Sequence, residues 1–388
     1  MSIAFYAPMK APDHPVPSGD RRMAQALMAL LEQAGRGPVE LVSRFRSFER
    51  SGDPARQAKL ERVGTKLAAR LLRRFARRPA AARPKLWFTY HLYHKAPDHL
   101  GPVVAQALGI PYVVAEASHA PKRAGGAWDL GFQAAERGIK AADRILCLNP
   151  ADRPCLGPVV GDPAACLVDL PPFLDLTPFS GLDSLAIRNA MIASHQLPAD
   201  RPWLLAVGMM RPGDKLASYR ALAEALHRLR ARPDAPEFAL VVVGDGEARP
   251  EVEAALTPFA PHWLGTLGPM RLAPLYAACD LMVWPAVNEA YGMALLEAQA
   301  CGLPVLAGRV GGVPGVVADG ETGILTPAGD AEAFTDALAS LLKDPLQRKR
   351  LGLAARKRVF AQHSPDKALS ILERQVLTPL LGAPDVAS

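Results

Sequence analysis

Leu281-Met282-Val283-Trp284-Pro285-Ala286-Val287-Asn288-Glu289-Ala290-Tyr291-Gly292-Met293-Ala294-Leu295-Leu296-Glu297-Ala298-Gln299-Ala300-Cys301-Gly302-Leu303-Pro304-Val305 contains a strand, a loop, a helix and the start of another strand. The apolar run Leu281–Pro285 is too short for a stable helix and reads as a buried strand. Met293–Cys301 has helical spacing, Gly302 suits the position after a helix end, and Pro304 opens the next strand. Gly292 permits close backbone approach at the helix start, where the N–H groups of Tyr291–Ala294 form an anion site suited to a diphosphate. Glu297 lies in the second helical turn, on the face of Met293 and Ala294. Its carboxylate could accept hydrogen bonds from vicinal hydroxyls behind the phosphate; the same residue also reads as an ordinary solvated helix position.

The strand–turn–helix pattern recurs on both sides of this stretch. Ile3–Ala7, Lys85–Tyr90, Tyr112–Ala115 and Arg144–Leu148 are the expected strands of the first half, with helices over Arg21–Gln33, Leu100–Leu108 and Asp129–Ala141. Trp203–Val207, Ala239–Val243, Leu281–Pro285 and Pro304–Ala307 follow in the second, with helices over Ala217–Arg230, Pro250–Leu256 and Met293–Cys301. Strands alternating with helices imply right-handed crossovers, parallel sheets and helices on both faces, an α/β class. Residues 170–202, with Pro171, Pro172, Pro178 and Pro198, lack strand periodicity and divide two such sets. The expected organisation is an N-terminal Rossmann-like domain over 1–180, a second over 190–363, and a closing helical segment over 364–388 that packs back on the first. Two facing doubly wound domains would leave a cleft at the carboxyl ends of their sheets.

The chain has 388 residues, 49% of them hydrophobic and 21% charged, which excludes disorder as its main state. No apolar run approaches membrane-spanning length, no signal peptide is visible, and the five cysteines form no CxxC pair. These features predict a reduced, cytoplasmic protein. There is neither an Asp-x-Asp pair nor a GxxxxGK[ST] loop, and Gly244-Asp245-Gly246-Glu247 is only a fragment of a dinucleotide fingerprint. No metal and no cofactor are expected; His91, His94 and His99 have no supporting carboxylate or cysteine spacing.

Val207-Gly208-Met209-Met210-Arg211-Pro212-Gly213-Asp214-Lys215 delivers two cations, Arg211 and Lys215, at the far end of a strand. Placed there they would neutralise charge on a departing diphosphate. In the first half, Gly19 of Ser18-Gly19-Asp20-Arg21 opens a helix after the first strand, and His119 follows Tyr112–Ala115. His91 and His94 follow another strand and could line an acceptor pocket.

From these residues the sequence resembles the retaining glycosyltransferases of family 4, which have the GT-B fold of two Rossmann-like domains. The resemblance rests on Glu289 and Glu297 with seven residues between them, Tyr291-Gly292, and Ala300-Cys301-Gly302-Leu303-Pro304-Val305. It extends through Val241–Gly246, Trp263–Gly265, Leu275–Asp280, Gly311-Gly312 and Asp319–Leu325, covering 203–360. It implies that a nucleoside-diphosphate sugar is the donor and a hydroxyl of a glycan or lipid-linked molecule the acceptor, as in cell-envelope polysaccharide or glycolipid synthesis. It also implies that Glu297 holds the ribose, and that Glu289 and the amides of Ala290, Tyr291, Gly292, Met293 and Ala294 hold the donor sugar and diphosphate. Gly265, Thr266 and Leu267 would lie near the base. Gly19 would approach the phosphates, His119 the donor sugar, and Asp20, Arg21, His91 and His94 the acceptor. Two positions depart from the family pattern: Met209 stands where an Arg is usual, and Gly315 where a Glu is common. They keep open a catalytically silent nucleotide-sugar-binding scaffold; a GT-B epimerase is the other alternative.

The net charge of +7 is unevenly distributed. Residues 41–85 hold 14 Lys and Arg against Glu49, Asp53 and Glu61, leaving the remainder slightly acidic. Within this segment Leu60, Val63, Leu67, Leu71 and Phe75 form the expected apolar stripe of a helix. One reading is a domain helix with a solvated basic face; the sharper one is an interfacial helix over 56–78 that docks on an anionic membrane, peripheral to the inner leaflet. Nucleic acid is not an expected partner, because aromatic residues are few there and no recognised module surrounds them.

Overall fold

Short apolar strands joined by crossover helices pair in parallel, and both sheets of this chain do so throughout. The computed structural model describes residues 2–16 and 18–383. Two units are present: one runs to Pro171 and resumes at Pro365, and the other is Pro172–Ser364.

In the first unit β1 (Ser2–Tyr6), β2 (Val39–Ser43), β3 (Pro84–Leu92), β4 (Tyr112–Ala117), β5 (Arg144–Cys147) and β6 (Leu167–Asp169) are arranged β2-β1-β3-β4-β5-β6. In the second, β7 (Trp203–Val207), β8 (Ala239–Val243), β9 (His262–Trp263), β10 (Leu281–Trp284), β11 (Val305–Gly308) and β12 (Gly323–Thr326) are arranged β12-β11-β10-β7-β8-β9. This is the doubly wound α/β architecture. Strand order reverses between β1 and β3 in one sheet and between β7 and β10 in the other, the positions where loops leaving the carboxyl ends diverge and ligands bind.

The eight inner strands coincide with the apolar runs. The edge strands β2, β6, β9 and β12 do not stand out in the sequence, because an edge strand has one neighbour and needs less apolar surface; β2 has only Val42 buried. Residues 170–202 also contain a helix, Ser184–His195, capped by Asp183.

The basic segment forms one helix, Pro54–Ala76, and its buried face differs from the expected stripe. Gln57, Gly64, Ala68, Leu71 and Phe75 face inward, Leu60 and Leu67 are half-buried, and Val63 is exposed. Small residues set this face because the helix packs closely on its neighbours: a Cβ at Gly64 would lie 2.4 Å from that of His99. Gln57 is drawn inward by bonds to the backbone of Ala127 and Gly131.

The closing segment breaks into Pro365–Leu372, a π-helical turn Glu373–Leu377, and Thr378–Leu381. It is fastened within the first unit by Arg36, whose side chain is 4% exposed. Its guanidinium donates to both Glu373 carboxylate oxygens, at 3.2 and 2.6 Å, and to Thr378 and the Gly382 carbonyl.

Candidate active site

At the β7/β10 reversal of the second unit, two loops are held together by backbone contacts only glycine allows. Gly208 and Met210 donate to the carbonyls of Val243 and Asp245, and Ala248 donates back to Met210. A Cβ at Gly244 would fall 1.9 Å from the Gly208 oxygen, and one at Gly246 2.3 Å from the Met210 oxygen. The Gly244-Asp245-Gly246 fragment therefore serves loop packing. Gly244 also donates to the carbonyl of Gly265, tying the Gly265–Leu267 loop to the same edge of the sheet. Thr266 in that loop is exposed.

The helix Asp214–Arg230 starts where the first loop ends and places Lys215 in its first turn. Lys215 Nζ lies 2.5 Å from Glu289 Oε2. The indole N–H of Trp284, the last residue of β10, donates to the same oxygen at 3.1 Å, and the ammonium lies 5.2 Å from the indole centroid. Asn288 donates to Asp214, and Val287 to the Ser218 hydroxyl. Arg211 is exposed and forms no ion pair among the described residues, so the two cations of the loop are placed differently.

Glu289 is held from its other side by Gly311-Gly312. A Cβ at Gly311 would lie 2.0 Å from the Glu289 oxygen and one at Gly312 2.0 Å from that of Ala290; Gly312 donates to Glu289 at 3.1 Å. Ala290 is exposed, and Tyr291 and Gly292 are buried. Gly292, at φ 72°, turns the chain into the helix Met293–Ala300, whose first-turn N–H groups at Met293 and Ala294 have no acceptor inside the helix. Glu297 is 2% exposed and accepts from the Tyr276 hydroxyl at 3.1 Å, which corrects the solvated-residue alternative.

The β1/β3 reversal of the first unit assembles a second cluster. Ser18 caps the helix Gly19–Gln33 by accepting from Arg21, and also accepts from Lys10. Gly19 is exposed, with nothing within 4 Å of the position a Cβ would take. Asp20 Oδ1 lies 3.1 Å from His91 Nδ1, and Glu116 Oε1 lies 3.7 Å from His91 Nε2. His91 and Glu116 are neighbours on β3 and β4, and both hold left-handed backbone, φ 65° and 62°. Two such non-glycine residues side by side are costly and concentrate at functional sites. Burial disfavours charge on His91 most strongly, but Glu116 and then Asp20 overcome it and push its pKa up to about 9. Beside them Ser118 donates to Asp152 at 2.6 Å.

His119 lies against the Phe132 ring, with Nε2 4.0 Å from Glu136. His94 sits between the rings of Tyr93 and Trp128. Burial, then Arg123, Lys95 and Lys122, depress its pKa to about 4, so it is neutral at pH 7. Arg21 reaches the Pro15 carbonyl. Sequence reading missed Trp284, Asn288, Ser218, Glu116 and Asp152; Trp284, an indole closing a strand before a loop with a carboxylate, was the one visible signal.

Residues 201–344 match the family of group 1 glycosyl transferases, so the family match spans the strands, helices and loops that hold Lys215, Glu289 and Glu297. The chain also aligns with curated relatives. D-inositol 3-phosphate glycosyltransferase of Kribbella flavida is 32% identical over 234 residues, 57% of this chain and 53% of the relative. That of Kineococcus radiotolerans is 34% identical over 245 residues, 57% and 54%. The chain spans about half the length of the curated relatives it matches. Among solved structures, sucrose-phosphate synthase from Thermosynechococcus elongatus has a TM-score of 0.72 at 22% identity, covering 97% of this chain and 99% of that one. Anabaena HepE in complex with UDP has a TM-score of 0.74 at 16% identity, covering 97% and 100%. At these identities the likeness establishes the fold, which is that of GT-B glycosyltransferases. No helix among the described residues is long and apolar enough to cross a membrane.

Proposed function

We propose that this chain is a retaining, metal-independent glycosyltransferase of family 4 that moves a sugar from a nucleoside-diphosphate sugar to a hydroxyl of a glycan or lipid-linked acceptor. The observation that carries the reading is the Lys215–Glu289 pair, held at the strand-order reversal beside the first turn of Met293–Ala300. The diphosphate lies on the amides of Gly292, Met293 and Ala294, with Lys215 and Arg211 opposing its charge. Glu289 and the amides of Ala290 and Tyr291 hold the donor sugar, Glu297 the ribose, and Gly265–Leu267 the base. Asp20, Arg21, His91 and His94 are the acceptor residues; Gly19 and His119 keep the roles that the resemblance gives them.

The bond from the anomeric carbon to the leaving phosphate breaks, and the acceptor oxygen attacks the same face. That oxygen's proton passes to the departing phosphate, so no protein base is needed. The UDP-bound neighbour supports UDP-sugars as the first donors to test. The test is release of nucleoside diphosphate from a panel of nucleotide sugars with EDTA present, followed by the anomeric configuration of the product by NMR. No release and no nucleotide binding would sink the transferase reading; loss in EDTA or an inverted product would sink its finer parts.

The same proposal includes docking of the helix Pro54–Ala76 on an anionic leaflet. Arg70, Arg73, Arg74, Arg77 and Arg78 line an open concavity of about 380 Å³, and among the described residues only Arg74 and Arg78 of these form ion pairs, both with Glu40. Each surface cation contributes about 1 kcal/mol to such binding. Co-sedimentation with vesicles should rise with anionic lipid content and fall when Arg70, Arg73 and Arg77 are neutralised; indifference to both would remove the membrane from the proposal.

A further inference from the structure

Trp284, the last residue of β10, has no part in the chemistry above, yet it touches both loops of the second unit's site. It is 2% exposed. Its ring meets that of Tyr219 edge to face, with centroids 5.0 Å apart at 87°. The Tyr219 hydroxyl donates to the Gly208 carbonyl at 2.8 Å, and a Cβ at Gly208 would lie 2.8 Å from Cη2 at the far edge of the indole. The indole is thus wedged against the loop that leads to Lys215, while its N–H reaches the loop that carries Glu289.

The two oxygens of Glu289 are served unequally. Oε2 accepts from both the Lys215 ammonium and the Trp284 N–H, and among the described residues no hydrogen bond reaches Oε1. The two donors also differ in freedom. Lys215 is 26% exposed and carries three donors on a flexible four-carbon stem. An arriving diphosphate competes for it with more charge than one carboxylate offers. The indole is donor-only, fixed by packing and too buried to follow. Without it, departure of the ammonium would leave a half-buried carboxylate with no protein donor on either oxygen, which costs free energy and frees the side chain to turn.

We propose that Trp284 is a positioning residue for the transfer reaction. Its N–H holds Glu289 in place when Lys215 exchanges the carboxylate for the diphosphate, and Oε1 is left to a hydroxyl of the donor sugar. This rests on the transferase reading for the diphosphate and the sugar, but the hydrogen bond itself lies within the second unit and needs neither.

The kinetic test is Trp284→Phe, which keeps a ring beside Tyr219 and removes the donor. It should lower kcat about tenfold and change the donor KM by less than about threefold, because position rather than affinity is lost. The loss should shrink to within about twofold when the same change is made in Glu289→Ala, which offers the N–H no acceptor. A packing role alone would lower kcat equally in both backgrounds; that result would overturn the proposal, as would an unchanged kcat in Trp284→Phe.

A second measurement needs no turnover. The Trp284 indole N–H resonance is identified among those of the five tryptophans by its loss in Trp284→Phe. It should move on Glu289→Ala, yet stay close to its wild-type position in Lys215→Gln and after saturation with UDP. A resonance that takes the Glu289→Ala position in either case would show Glu289 following Lys215 and would also overturn the proposal. A wild-type chain that neither binds UDP nor turns over would sink the transferase reading, while Glu289→Ala and Lys215→Gln would still decide whether the indole holds the carboxylate.

Discussion

Lys215 and Glu289, 74 residues apart, form a 2.5 Å ion pair with Trp284 donating to the same carboxylate oxygen. The pair is partly open to solvent, at 26% and 16% exposure, so it can exchange partners when a diphosphate arrives. Charge placed where it develops in the transition state affects turnover more than folding. Lys215→Gln and Glu289→Gln should each lower kcat roughly 10²- to 10³-fold with little change in melting temperature. Glu297→Gln should instead weaken nucleotide binding. Steady-state kinetics and UDP titration check all three, and unchanged kinetics in every variant would refute the site.

Gly311-Gly312 acts on the same carboxylate through the backbone. Gly312→Ala puts a methyl 2.0 Å from the Ala290 oxygen and must displace the Glu289–Ala290 segment. It should cut kcat by about tenfold or more, since misplacement on the order of 1 Å is costly in such sites. Because the effect is on position, free phosphate or other added anions should not rescue it.

His91 gives a pH signature. Its pKa is raised from 6.5 to about 9 by Glu116 and Asp20 against the opposing effect of burial. A pKa raised on folding stabilises fully below the unfolded value and loses that contribution as pH climbs through the folded one. The melting temperature should therefore fall between about pH 7 and pH 9–10. His91→Asn should be less stable at pH 6 and lose much of this slope. NMR titration of the His91 ring near pH 9 is the direct check; a midpoint near 6.5 would contradict the assignment.

Arg36 is buried and bonded to Glu373, Thr378 and Gly382. Removing one partner of such a buried pair costs roughly 3–5 kcal/mol because the other charge is left stranded. Arg36→Met should lower stability in that direction and raise hydrogen exchange over residues 365–383. The double change Arg36→Met/Glu373→Met should recover part of the loss, which a general packing defect would not.

The inner strands were legible because a strand flanked on both sides must be apolar throughout, as Ile3–Tyr6 and Leu240–Val243 are. Gly292 and the Glu289/Glu297 spacing were legible because a turn into a helix start leaves a local signature. The edge strands lacked that signal, and the buried face of Pro54–Ala76 was misread for a different reason. Leu60 and Val63 fit the helical period, but Gly64 and Ala68 allow closer approach, and spacing alone does not reveal the neighbour they approach.

The chain by itself determined its class: alternating strands and helices, parallel sheets, and a loop with a carboxylate before a helix that opens on glycine. These follow from local sterics and periodicity, which act within a few residues. The tertiary structure decided that Lys215 rather than Arg211 meets Glu289, that Trp284 shares the carboxylate, and that Glu297 is buried under Tyr276. It also placed His91 between Asp20 and Glu116 and gathered Lys95, Arg123 and Trp128. These partners are distant in sequence, and strand order, which sets which loops emerge side by side, is a property of the whole sheet.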